Sequence, residues 1–254
     1  MEIDLISYAS KIRGWNAAFK VSFAVLLMIL CIGLNNPYVS AAVIIGMAYL
    51  IVVKGGLSVR EYLLVLAIPI SFILLATITI AVDFAWEPIG QYHLHLGFFY
   101  IFTSLEKLEE AIFMILKVFA AVSALQMMTL STPSSEIISV MRKAHIPKLI
   151  IELMNMIYRY IFIILGVYSK IKNSADSRQG FCDFKTSLHT FGGIACNMLV
   201  ISMKKANGYY DAMEARCYDG EMIFLEEDQK ITMIQFISAA MFISVLFLIW
   251  GFTK

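Results

Sequence analysis

Long apolar runs are the feature of this sequence that most limits what the chain can fold into. Five stretches have the length and composition of a membrane-spanning helix, which needs roughly 20 mostly apolar residues. They are residues 19–34, 38–53, 62–82, 111–130 and 231–250. Hydrophobic residues make up 60% of the chain and charged residues 15%, against about 45–50% and about 25% in soluble domains. The sequence therefore predicts an all-α integral membrane protein with about five transmembrane helices, and it excludes a secreted disulfide scaffold or a disordered chain.

The basic residues orient these runs across the membrane. Lys11, Arg13 and Lys20 lie before or at the start of the first hydrophobic stretch, whereas the turn at 35–37 and the segment 83–100 carry no Lys or Arg. Twelve of the 20 Lys and Arg residues lie in 131–230. Because basic loops remain on the cytoplasmic side, we predict a multi-pass protein of a prokaryotic cell membrane with a cytoplasmic N-terminus. The predicted parts are a four-span bundle at 1–130, a cytoplasmic segment at 131–230 and a last span at 231–254.

The cytoplasmic segment is itself predicted to be helical and unusually apolar. A short helix at 134–144 lies between Pro133 and Pro147, and two long helices follow at about 148–172 and 186–216. The first long helix has one narrow polar stripe, which contains Glu152, Asn155 and Arg159. It is long enough to be a sixth span, but that would move the basic residues from 170 to 216 outside the cell. The charge distribution therefore favours a helix that lies at the cytoplasmic membrane face.

Both long cytoplasmic helices end in the same short pattern. One reads Asp176-Ser177-Arg178-Gln179-Gly180, and the other reads Glu214-Ala215-Arg216-Cys217-Tyr218-Asp219-Gly220. An arginine beside a small residue at a helix end can enter a groove on another protein, where its planar guanidinium binds a carboxylate with two hydrogen bonds. An arginine at such a position can also simply complement the helix dipole. The repetition of the pattern, 38 residues apart, leaves both readings open.

The second of these patterns resembles a known family signature. The run Ala212-Met213-Glu214-Ala215-Arg216-Cys217-Tyr218-Asp219-Gly220 is similar to the second signature of the transmembrane (T) components of energy-coupling-factor (ECF) transporters, nearest to the cobalt-type CbiQ branch. Ser177-Arg178-Gln179 falls where that family carries its first signature, and the Leu130–Pro133 turn also matches. The sequence departs from the family pattern at Cys217, where Gly is usual, and at Ser177, where Ala is usual.

The resemblance implies the scaffold of an ATP-driven importer, and cobalt is the substrate it favours. Its partners would be two cytoplasmic ATPase subunits, a separate substrate-binding membrane subunit and membrane lipid, without nucleic acid. The partners would bind ATP, so this chain would be non-catalytic, with no cofactor or metal of its own, and its sequence lacks the phosphate-binding pattern G-x-x-x-x-G-K-[ST]. The resemblance assigns ATPase binding to six residues in two groups: Ser177, Arg178 and Gln179, and Ala215, Arg216 and Cys217.

Other residues leave further readings open. His93 and His95 are spaced to share a metal ion if they lie on a strand, although two ordinary interfacial histidines are favoured. Lys117 is an ionisable residue within the fourth run, with a structural or functional role, and Asp83 is its candidate partner. The four cysteines are predicted to be unpaired. The alternatives to a cobalt T component are a self-contained multi-pass transporter or channel, and a T component that serves nickel or a vitamin.

Overall fold

The computed structural model of the chain describes residues 2–81, 83–85, 92–96, 99–103, 105–219, 229 and 231–253. Within these residues, helices dominate and the predicted all-α membrane class is confirmed. The helices are α1 (Glu2–Ala9), α2 (Ala17–Leu34), α3 (Pro37–Tyr49), α4 (Val59–Ala81), α5 (Leu105–Ser131), α6 (Ser134–Lys143), α7 (Lys148–Asp176), α8 (Phe184–Glu214) and α9 (Met233–Phe252). A 3₁₀ turn at Lys11–Gly14 precedes α2, and a π-helical turn at Leu50–Lys54 continues α3.

Six of the helical segments in the described part of the chain are long and apolar enough to cross a membrane. Five coincide with the predicted spans: Ala17–Leu34, Pro37–Lys54, Val59–Thr77, Glu109–Ser131 and Met233–Phe252. The sixth is Lys148–Asp176, the helix that the charge distribution places at the cytoplasmic face. The five-span topology stays a prediction, because length and composition alone admit this sixth helix.

A small antiparallel sheet lies between α4 and α5, where the sequence predicted only an outer loop. Its strands are β1 (Asp83–Ala85), β2 (Tyr92–Leu96) and β3 (Phe99–Thr103), in the order β1-β3-β2. His93 and His95 both belong to β2, in register with Phe102 and Tyr100 of β3. Their side chains lie outside the described residues, so the histidine pair stays a prediction.

The chain divides into two compact units. The first comprises Met1–Ile137 and Asp228–Lys254, and the second comprises Ile138–Glu227. The core of the first unit forms where α2, α3 and α4 pack against the central helix α5, and it contains Leu27, Met47, Leu66 and Met127. In the second unit, α7 and α8 pack against each other. The predicted division at residues 130 and 230 stays a prediction.

The helix ends follow from local sequence signals. Asn36 accepts the Tyr38 N–H and caps α3, whose first residue is Pro37. Asn35, in the left-handed conformation with φ +46°, ends α2. Thr232 and Gln235 form a reciprocal capping box at the start of α9. These caps confine each apolar run to one helix and therefore set the length of each candidate span.

Candidate functional site

The two arginine patterns lie at helix ends with the same backbone geometry. Past the end of α7, the Gly180 N–H donates to the Ala175 carbonyl at 2.9 Å and the Gln179 N–H donates to the Asp176 carbonyl at 3.0 Å. Past the end of α8, Tyr218 and Cys217 make the equivalent bonds to Met213 at 3.1 Å and to Glu214 at 3.0 Å. This pair of bonds defines a Schellman motif. Arg178 and Arg216 therefore occupy equivalent positions, each directly before the residue that turns the chain away from the helix.

That turning residue is left-handed at both ends. Gln179 has φ +54° and Cys217 has φ +60°. Gly is the usual residue in this conformation because it has no Cβ to clash with the backbone. Cys217, which stands where the family pattern has Gly, therefore occupies a position at which glycine would be least strained. Helix α8 nevertheless ends in a Schellman motif. Helix α6 ends in the same way at His145, with φ +60°, so the arginines rather than the cap distinguish α7 and α8.

All six residues predicted to bind ATPases are exposed. Neither the Arg178 nor the Arg216 guanidinium makes a side-chain hydrogen bond or an ion pair with any residue that the structure describes. The Ser177 hydroxyl, by contrast, donates back to the Asn173 carbonyl at 2.9 Å. The two guanidinium groups thus remain available for an acidic group of another molecule, while Ser177 stabilises the helix end.

Arg216 also borders a groove between α7 and α8. Tyr160 of α7 meets Tyr209 of α8 edge to face, with ring centroids 5.1 Å apart, and the Arg159 Cζ lies 5.9 Å from the Tyr209 ring centroid. Asn155, Arg159 and Arg216 supply the polar part of the lining, and the remainder is mostly apolar. No local sequence pattern predicts this groove, although the polar stripe through Asn155 and Arg159 marks its α7 side.

A hydrogen bond fixes the Arg216 end of α8 against the first turns of α7. The Tyr218 hydroxyl donates to Glu152 Oε2 at 3.3 Å, and Glu152 is only 6% exposed. Burial, together with the negative charge of Glu152, raises the pKa of Tyr218. The phenol therefore keeps its proton at neutral pH and continues to donate to the carboxylate.

The Arg178 end is packed differently. A Cβ on Gly180 would lie 3.0 Å from the Ala175 carbonyl oxygen and 3.0 Å from the Cγ2 and Oγ1 atoms of Thr190 in α8. The absence of a Cβ at Gly180 therefore lets the two helices approach closely at this end. Arg159 lies beside the Arg216 groove and therefore marks the position of that end along α7. Arg178 follows Arg159 by 19 positions, so at about 1.5 Å per helical residue the two arginine ends lie about 30 Å apart along α7. One small anion cannot bridge them, so the geometry provides two separate contact points.

Lys117 has a different partner from the one considered in the sequence analysis. Its Nζ donates to Asn35 Oδ1 at 2.7 Å, at the turn between α2 and α3. The Asp83 side chain lies outside the described residues. Asn35 follows the C-terminal end of α2, so this contact gives Lys117 a structural partner at that end of the bundle.

Lys20 is the charged residue whose surroundings the sequence analysis missed. Its side chain is fully buried, and its Nζ donates to the Ser131 carbonyl at 2.8 Å and lies 3.7 Å from Glu136 Oε2. Arg13 lies 3.7 Å from the other oxygen of Glu136. This network joins the start of α2 to the α5–α6 turn. A lysine within the first turn of an apolar run was the only sequence signal for it.

Two further predictions concern metal ions and thiols. Within the described ranges, no group of three or more His, Cys, Asp or Glu residues could hold a metal ion. All four cysteines are unpaired, as predicted: Cys31 is buried, and Cys182, Cys196 and Cys217 are exposed.

Comparison with known proteins identifies relatives along nearly the whole chain. A family model described as CbiQ, cobalt transport protein, matches residues 8–231. The chain is 27% identical over 246 residues to a fused cobalt transport protein CbiMQ of Methanocorpusculum labreanum, covering 96% of this chain but only 41% of that relative. It is 25% identical to an uncharacterized protein of Methanocaldococcus jannaschii, covering 93% of this chain and 88% of that protein.

A shorter match is to the cobalt transport protein CbiQ of Salmonella typhimurium. It is 23% identical over 164 residues and covers 61% of this chain and 70% of that protein. The family match spans both arginine patterns and the groove beside Arg216. It also covers every candidate span except the last, Met233–Phe252. The chain therefore belongs to the CbiQ family of cobalt transport proteins.

Proposed function

We propose that this chain is the transmembrane T component of an ECF-type cobalt importer. Two cytoplasmic ATPase subunits bind its arginine ends, one at Arg178 and the other at Arg216. ATP binding and hydrolysis in those subunits move α7 and α8, which transmit the movement to a separate membrane subunit that binds cobalt. The N-terminus lies in the cytoplasm of a prokaryotic cell, and the chain carries no cofactor.

The observation that carries this proposal is the equivalence of the two arginine ends. They share one backbone cap, both guanidinium groups are exposed, and neither has an acidic partner among the described residues. Their separation of about 30 Å suits two partner subunits better than one. A guanidinium at such a position offers the planar pair of donors that a carboxylate on a partner accepts.

Cobalt and the second membrane subunit are supported by the relatives. The family description names cobalt transport. In the Methanocorpusculum relative, CbiM and CbiQ form one fused chain, which supports a CbiM-type membrane partner for this protein. The chain spans less than half of that relative, so the substrate-binding function is assigned to the partner rather than to this chain.

Substitution of the arginines tests the proposal. Arg216→Ala removes a guanidinium that is desolvated in the complex, and truncation of one partner of such a contact costs on the order of 2–5 kcal/mol. We expect Arg216→Ala, and likewise Arg178→Ala, to release or uncouple one ATPase subunit, with a larger loss in the double variant. Arg216→Lys should rescue only in part, because an ammonium lacks the planar fork. Pull-down of ATPase subunits and cobalt uptake in membranes are the two measurements.

Lys204→Ala is the matched control, because Lys204 is an exposed cation of α8 away from both ends. It should retain full complex formation and uptake. Full complex formation and uptake by Arg216→Ala would contradict the assignment. Cobalt uptake by this chain alone in vesicles would instead identify a self-contained transporter.

A further inference from the structure

An apolar groove in the first unit has no role in the proposed function. It lies between α2, α3 with its π-helical turn, and α9, and it encloses about 570 Å³, within the roughly 300–1,000 Å³ typical of ligand sites. Small residues form its floor: Ala42 and Gly46 lie one turn apart on α3. A Cβ on Gly46 would lie 2.5 Å from Phe242 Cζ, so the Phe242 ring rests directly on the α3 backbone.

A row of aromatic rings lines the side of this groove. Trp15 and Phe19 are 6.5 Å apart, Phe19 stacks on Phe23 at 6.0 Å, and Phe23 meets Phe242 edge to face at 6.3 Å. The row begins at Trp15, just before α2, and ends deeper in the bundle. Ile45 on the open side is 69% exposed. Since this chain is a membrane protein, an apolar groove that opens between spans faces lipid acyl chains.

Two lysines lie at the Trp15 end of the groove. Lys54 follows the lining residue Leu50 by one turn, and the Lys11 N–H donates to the Gly55 carbonyl at 3.1 Å. The Cδ and Cε atoms of Lys11 lie 3.3 Å from where a Cβ on Gly56 would be, so the Lys11 stem packs over this turn. Both lysines are exposed, and neither forms an ion pair with a residue that the structure describes.

Two other charged side chains at this end have partners of their own. Arg13 is paired with Glu136, and the Glu61 carboxylate accepts the Ser58 N–H at the start of α4. Lys11 and Lys54, which form no ion pair with any described residue, therefore place two positive charges beside the mouth of an apolar groove. The ligand that complements this combination has an anionic head and an apolar tail.

We propose that the groove binds one anionic phospholipid. Its acyl chain lies along the aromatic row and over Ala42, beside the Phe242 ring that covers Gly46, and its phosphate contacts Lys11 and Lys54. Trp15 lies where the chain meets the headgroup, which is the depth that tryptophan favours in membranes. Because the basic end of the bundle is the predicted cytoplasmic end, the lipid belongs to the cytoplasmic leaflet.

The headgroup contact is tested with the purified full-length protein and two lipids. We expect fluorescent phosphatidylglycerol to bind more tightly than the matching phosphatidylcholine. A lysine near a phosphate is worth about fivefold in affinity, so the double variant Lys11→Gln with Lys54→Gln should lose about twenty-fivefold for phosphatidylglycerol and almost nothing for phosphatidylcholine. The control is Lys170→Gln with Lys172→Gln, which removes two exposed lysines of α7 and should change both affinities less than twofold.

The acyl-chain contact is tested by filling the groove from its open side. Ile45→Trp adds volume at an exposed position, so the bundle should still fold, and binding of both lipids should fall about tenfold. Three results would overturn the proposal: an unchanged preference for phosphatidylglycerol in the double lysine variant, an equal loss in the α7 control, or unchanged lipid binding by Ile45→Trp. If Ile45→Trp kept its lipid but lost a co-purifying membrane subunit, the occupant would be a protein helix.

Discussion

At the scale of single residues, the buried Lys20 is the feature that the sequence concealed most completely. Its charge was visible, and it was counted with the basic residues at the start of the first span. Its partners were not predictable, because Ser131 and Glu136 lie more than a hundred residues away and no local pattern links them to Lys20. Arg178 and Arg216, by contrast, were predictable as exposed helix-end residues, because the sequence signals that mark the ends of these helices are local.

The Lys20 network leads to a prediction about stability. Lys20→Met keeps most of the side-chain volume but leaves the Ser131 carbonyl and one oxygen of Glu136 without their cation. Unsatisfied buried polar groups cost about 1–3 kcal/mol. We expect the free energy of unfolding in detergent, followed by tryptophan fluorescence, to fall by about that amount.

The comparison for this prediction is Arg13→Gln. Arg13 contacts the same carboxylate, but its side chain is 43% exposed, and exposed ion pairs contribute about 0–1 kcal/mol. Its variant should therefore lose less stability than Lys20→Met. If both variants lost the same free energy of unfolding, the buried Lys20 ammonium would contribute no more to stability than the exposed Arg13–Glu136 pair.

At the scale of elements, the sequence predicted most helices to within a few residues. Pro133 and Pro147 bracket α6 because proline cannot continue a helix and restricts the residue before it. The predicted long helices at 148–172 and 186–216 correspond to α7 and α8. What could not be predicted is the left-handed conformation at Gln179, because glutamine carries no preference for it. The short strands were also missed, because β1 and β3 show no alternation, although Tyr92–Leu96 of β2 alternates between apolar residues and histidine.

The shared helix cap leads to a prediction about Cys217. Cys217→Gly removes the strain of a Cβ at φ +60°, which costs roughly 1–2 kcal/mol, so it should stabilise the α8 end and retain ATPase binding. Cys217→Val places a branched side chain in the same conformation and should distort the cap and weaken binding at the Arg216 end. Pull-down of ATPase subunits, with thermal unfolding of the purified variants, measures both effects.

His145→Gly and His145→Val are the matched controls, because His145 has the same conformation at the end of α6, which has no arginine pattern. They should change stability in the same directions as the Cys217 variants while ATPase binding is retained. If Cys217→Val bound ATPases normally, the cap would have no part in presenting Arg216.

At the scale of the whole molecule, composition predicted the membrane class, and the length of the apolar runs predicted five spans. The open question in the sequence was α7, because its length and apolarity suit a span while its flanking charges do not. Contacts between helices that are distant in the sequence could not be predicted, for a physical reason. The groove lined by Trp15, Ala42 and Phe242 exists only after three separate spans have packed together, and no single run of sequence encodes it.

The topology prediction can be checked with a native cysteine. Cys182 is exposed in the segment between α7 and α8, and the five-span topology places it in the cytoplasm. We expect a membrane-impermeant maleimide to leave it unlabelled in intact cells and to label it after permeabilisation.

Tyr38→Cys serves as the external reference, since Tyr38 is 63% exposed at the predicted outer end of α3 and should react in intact cells. Labelling of Cys182 as rapid as labelling at position 38 would show that α7 crosses the membrane.

The burial of Lys20 also bears on the order in which the protein is made. Ser131 lies 111 residues after Lys20, and at about 5–20 residues per second the ribosome needs on the order of ten seconds to synthesise that interval. Once α2 has reached the membrane, and until Ser131 has been synthesised, we expect the Lys20 ammonium to extend toward the headgroups. Lys20 can turn inward only when the α5–α6 turn has emerged. The first span therefore reaches its final depth late. In a nascent chain that ends before Glu136, the first helix lacks the ion pair between Lys20 and Glu136.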